Sequence, residues 1–66
     1  MHTVIISIGS ELLTGQCLDT NSQWISSQLV AAGLHPTRHV TVGDDLAAIT
    51  GEFAAAFREA ALVVIT

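Results

Sequence analysis

Apolar residues fall along this chain in two rhythms. Val4, Ile5, Ile6 and Ile8 make a short β-branched run that stops at Gly9, and Leu62 to Ile65 make a second. Short apolar runs of this kind suit strands of a parallel sheet covered by helices on both faces. They predict strands over residues 3–8 and 62–65. Between them the spacing becomes helical. Ile25, Leu29 and Ala32 lie at i, i+4 and i+7, with Trp24 and Val30 widening the stripe. Thr20-Asn21-Ser22-Gln23 has the capping-box spacing, and Gly33-Leu34 supplies a left-handed cap with its hydrophobic contact, so a helix is expected over 21–32.

A second stripe, Leu46, Ile49, Phe53, Phe57 and Ala60, predicts a helix over 46–60, with Asp44 or Asp45 as its N-cap. Gly51 inside it costs roughly 1 kcal/mol relative to Ala. From Leu34 to Val42 polarity alternates loosely. Pro36 has no amide to donate to a ladder, so this strand is assigned to a sheet edge. Gly9 to Asp19 shows no sustained period and reads as a long loop with at most one helical turn.

The order β-α-β-α-β implies an α/β fold, part of a three-layer α/β/α sandwich with right-handed crossovers. The two apolar strands are best placed together, giving strand order 2-1-3, helices on opposite faces and a topological switch point at the carboxyl ends of strands one and three. Strand three carries no protecting charge or Pro. It is therefore expected to be covered by more of the same sheet or by another chain. Residues 1–66 are read as the N-terminal part of a single domain, and a homo-oligomer is expected.

Composition narrows the function. Sixty-six residues make one domain at most, and Cys17 is the only cysteine, which excludes an internal disulfide and a Cys-based zinc site. A formal charge of -4 is the wrong sign for a nucleic-acid partner. The longest apolar stretch, 60–65, is far below the ~18 residues of a bilayer span, and the first residues lack a basic segment before an apolar core. A cytoplasmic protein with no membrane partner is expected.

The carboxyl edge of the sheet collects the reactive groups. Strand one delivers Gly9-Ser10-Glu11-Leu12-Leu13-Thr14-Gly15 there, strand two delivers Gly43-Asp44-Asp45, and Asp19 and Asn21 stand at the start of the first helix. Hard oxygen ligands suit Mg²⁺ or Mn²⁺, which commonly binds through one or two carboxylates together with substrate phosphates. The alternative is that Asp44 or Asp45 caps a helix, Asp19 caps or flanks another, and Glu11 is solvated. Ser10 and Thr14 are candidates to bond an anion or to satisfy their own backbone. No dinucleotide fingerprint or Walker Lys is present. His35 and His39 read as surface residues on one face of an edge strand, and His2 as a frayed end. Cys17 reads as a small half-buried hydrophobe, and Trp24 as core or interface.

Four segments together carry a family resemblance: Ile8-Gly9-Ser10-Glu11-Leu12-Leu13-Thr14-Gly15-Gln16, Asp19-Thr20-Asn21-Ser22, Thr41-Val42-Gly43-Asp44-Asp45 and Val63-Val64-Ile65-Thr66. The chain resembles the front of the N-terminal domain of CinA-type (competence/damage-inducible) proteins, which share the MoaB/Mog molybdopterin-binding fold. The resemblance implies a metal-dependent nucleotide diphosphatase acting on ADP-ribose or, alternatively, a molybdopterin-binding or adenylylating domain; a non-catalytic interaction fragment is the third reading. It further implies a nucleotide or pterin ligand, with Glu11 and Asp44 as catalytic and metal-holding residues and Gly9, Ser10, Gly15, Asp19, Asn21 and Asp45 around the ligand. In the family a glycine-rich segment, Gly-Gly-Leu-Gly-Pro-Thr, comes directly after the position of Thr66. Ala61 stands where the family commonly has an acidic residue.

Overall fold

The computed structural model describes residues 2–66. Its elements are β1 (Thr3–Ile8), α1 (Ser10–Leu13), α2 (Thr20–Ala31), β2 (Arg38–Val42), α3 (Leu46–Glu59) and β3 (Leu62–Ile65). The three strands are parallel, in the order β2-β1-β3. The expected α/β architecture and strand order are therefore present.

The pleat of β1 divides the molecule. Val4 and Ile6 point one way, into a core with Val42 and Ala56, lined by Ile8, Val40, Ile49, Phe53, Ala60 and Val63. This is the α3 face. Thr3, Ile5 and Ser7, all fully buried, point the other way, and Ser7 meets Ser22 of α2 there. The helices thus cover opposite faces, as strand order 2-1-3 with right-handed crossovers requires. Burying a Val or Ile side chain is worth about 1.5–3 kcal/mol, so the α3 face holds most of the fold's hydrophobic stabilisation.

Several local expectations are corrected. The cap of α2 is Asp19, not Thr20: its side chain accepts from the Ser22 amide at 3.1 Å. A carboxylate is a stronger acceptor for a free helix amide than a hydroxyl, so the helix starts one residue earlier. Of the two acidic candidates at α3, Asp45 is the cap, accepting from Ala48 at 3.3 Å. The apolar stripe of α3 is rotated: Ile49, Phe53, Ala56 and Ala60 face the core, whereas Leu46 and Phe57 are 78% and 66% exposed. Ala56 supplies the close approach to the sheet that a larger residue would block. On α2, Trp24 is 65% exposed and does not enter the core.

β2 begins only at Arg38, because the ladder cannot start until the chain has passed Pro36. Thr37 makes the first contact, its amide donating to the Thr3 carbonyl at 2.8 Å. His35 consequently lies outside the strand and does not share its face with His39. His2 is not frayed, since its carbonyl accepts from the Ala61 amide at 2.9 Å. Cys17 is exposed instead of half-buried.

The readings of the loop after β1 and of the end of α2 hold. The loop after β1 contains the single helical turn α1. Gly33, at φ +83°, follows α2 with the Schellman pattern: its amide donates to Val30 and that of Leu34 to Leu29. Arg38, on the α3 face, bridges Glu52 at 3.4 Å and Glu59 at 2.6 Å. Among the described residues no helix is long and apolar enough to cross a membrane.

Candidate functional site at the carboxyl rim of the sheet

The rim is made where β1 and β2 end side by side. The Gly9 amide donates to the Val42 carbonyl at 2.9 Å, and one residue later the Asp44 amide donates to Ser10 Oγ at 3.1 Å. These two bonds stitch the turn after β1 to the turn after β2. Glu11 and Asp44 therefore stand on the same rim, both exposed. Ser10, a candidate to bond an anion, does part of this work with its side chain.

Gly9 and Gly43 permit the close fit. A Cβ on Gly9 would lie 2.7 Å from Oε1 of Glu11, so the glutamate carboxylate is folded back over the glycine. A Cβ on Gly43 would meet Leu13 Cδ1 at 3.1 Å, where the turn of α1 packs on the β2–α3 connection. Gly15 serves a different purpose. It adopts φ +81°, the left-handed region that favours glycine, in open space beyond α1.

The remaining expected site residues separate into two groups. Asn21 is exposed in the first turn of α2, available to a ligand. Asp45 and Asp19 are engaged as helix caps. Asp19 turns inward: Oδ1 takes the Ser22 amide, and Oδ2 is buried without a hydrogen bond of good geometry, its neighbour being His39 Nε2 at 3.4 Å. Burial pushes the Asp19 carboxyl up, but the Ser7 and Ser22 hydroxyls, the Ser22 amide and the charge of His39 outweigh it and hold the group below its ordinary 3.8.

Ser7, Ser22 and His39 were not anticipated as interacting residues. The signal was present in β1: a serine inside a run of β-branched residues needs a buried partner. Finding that partner required the topology, since Ser22 and His39 lie in two other elements.

Among the described residues, no three or more His, Cys, Asp or Glu side chains converge as a ready-made metal cage. The donors that are present, the exposed carboxylates of Glu11 and Asp44, fit a hydrated divalent ion that completes its shell with water and substrate phosphate.

Comparison with known proteins agrees with this architecture. Residues 4–66 match the family model described as "Probable molybdopterin binding domain". The chain belongs to this family. It is 44% identical over 66 residues to a CinA-like protein of Salinibacter ruber, covering 100% of this chain and 16% of that protein. A CinA-like protein of Geobacter metallireducens is 46% identical over 61 residues, covering 92% of this chain and 14% of the relative. The crystal structure of CinA from Thermoplasma acidophilum superposes with a TM-score of 0.92 at 33% identity, over 97% of this chain and 38% of that one. The chain thus spans only a small part of the length of these curated relatives.

Proposed function

We propose that the carboxyl rim binds the diphosphate of a nucleotide with a divalent cation, and that the full protein hydrolyses ADP-ribose. The observation that carries this reading is the joining of two turns by the Ser10–Asp44 bond, which sets two exposed carboxylates on one edge of a parallel sheet. That edge is where open α/β sheets take ligands.

Glu11 and Asp44 are the residues that would hold the cation. When bound, a divalent ion neutralises diphosphate charge and polarises a phosphoryl oxygen. Ser10 keeps Asp44 in register with Glu11, and Gly9 leaves room for the glutamate carboxylate to lie close to the backbone. Asn21 offers an amide side chain to the nucleotide.

The test is metal-dependent release of AMP from ADP-ribose by the full chain. Glu11→Gln and Asp44→Asn should each lower the rate at least tenfold with an unchanged melting temperature; rates equal to that of the unaltered protein in both variants would refute the assignment. Gly9→Ala should also impair turnover, because the new methyl displaces the Glu11 carboxylate.

The family description supports a second reading, in which the rim binds molybdopterin. Tight pterin binding without ADP-ribose hydrolysis would favour it.

A further inference from the structure

Beneath α2 runs a polar chain that the rim reading does not use. Ser7 Oγ contacts Ser22 Oγ and lies 3.0 Å from His39 Nε2. His39 Nε2 is in turn 3.4 Å from Asp19 Oδ2, with side chains 41% and 21% exposed respectively. Ser, His and Asp meet here without forming a nucleophilic triad. In a triad the serine and the carboxylate address opposite ring nitrogens, whereas Ser7 and Asp19 address the same one.

The carboxylate sets the polarity of the chain. It can only accept, so a bare Nε2 lone pair turned toward it would be repulsive and a proton there attractive. Nε2–H then donates to Ser7 Oγ, and the Ser7 and Ser22 hydroxyls, in contact with each other, both face the Asp19 carboxylate. These groups come from every element around the ring: Ser7 from β1, Ser22 from α2 and Asp19 from its cap. Arg38, the neighbour of His39 on β2, points to the opposite face and pairs with Glu52 and Glu59.

We propose that His39 is a positioning residue: in the Nε2–H tautomer it locks the Ser7–Ser22 pair and so holds the Asp19 cap, with Asn21 behind it, against the rim. The lock itself does not depend on the rim reading, but its service to substrate binding does.

Nitrogen NMR on the full chain at neutral pH tests the lock without ligand. The expected spectrum has a protonated-type Nε2 and a bare Nδ1 at His39. His39→Ala should speed hydrogen exchange at the Ser22 amide roughly tenfold. His39→Gln, whose side-chain nitrogen reaches the Nε2 position, should restore it, and His35→Ala should leave it unchanged. A bare Nε2, or Ser22 exchange indifferent to His39→Ala, overturns the proposal. With ADP-ribose, His39→Ala should raise KM several-fold and leave kcat nearly constant. If the unaltered protein does not turn over ADP-ribose, the rim reading fails while the NMR result still decides the lock.

Discussion

The two faces of the sheet hang on the same six-residue strand yet are built from different chemistry. Toward α3, β1 offers Val4, Ile6 and Ile8, which meet Ile49, Phe53, Ala56 and Val42 in an apolar core, with the Arg38–Glu52–Glu59 cluster on the same face. Toward α2 it offers Thr3, Ile5 and Ser7, and the only fully buried residue of that helix is Ser22. Apolar burial is non-directional and scales with area; hydrogen bonds demand one geometry. The α3 face therefore supplies most of the stability and the α2 face supplies placement. Both faces serve the rim, since α3 anchors the Gly43–Asp45 turn and α2 begins at Asp19 and Asn21.

If this division is right, the largest loss should come from Ile6→Ala. Emptying a fully buried site on the α3 face should cost about 3 kcal/mol in urea unfolding, and a loss under about 1 kcal/mol would mean that the layer is not closely packed. Ser7→Ala removes little volume but leaves Ser22 and His39 short of a partner. It should cost about 1–2 kcal/mol and disturb the amides of α2 more than those of α3 by NMR.

Asp19 sharpens the contrast through pH. Its folded carboxyl lies below the ordinary 3.8, so its stabilising contribution is complete above that value and is lost as pH falls through the folded value. Acid unfolding curves should show Asp19→Asn to be less stable than the unaltered chain at neutral pH, with the gap closing in acid. A constant gap would separate the cap from the charge. The smallest effect should be that of Phe57→Ser, on the exposed side of α3: within about 0.5 kcal/mol, against several for a residue in the core stripe.

Much of this architecture is legible in the residues. The runs at Val4–Ile8 and Leu62–Ile65 identify the inner strand and its neighbour, Pro36 marks the edge, and Gly33-Leu34 marks the end of α2. Burial patterns that depend on rotation are less legible. Leu46, Ile49, Phe53 and Phe57 are all apolar at helical spacing, and only the position of Ala56 against β1 decides which of them turn inward. The edge strand shortened because a proline forbids the ladder locally, while the alternation before it resembles a strand. At the site, the shared rim of Glu11 and Asp44 follows from strand order alone. The inward turn of Asp19 does not, because its partners Ser7, Ser22 and His39 are brought together only by the crossover.

The most direct test of the rim is titration of the full chain with Mn²⁺, followed by line broadening in its amide spectrum. Broadening confined to residues 9–11 and 43–45 is the predicted result, strengthened when ADP-ribose is added. Broadening centred on Glu52 and Glu59, at the other acidic cluster of the α3 face, would contradict it.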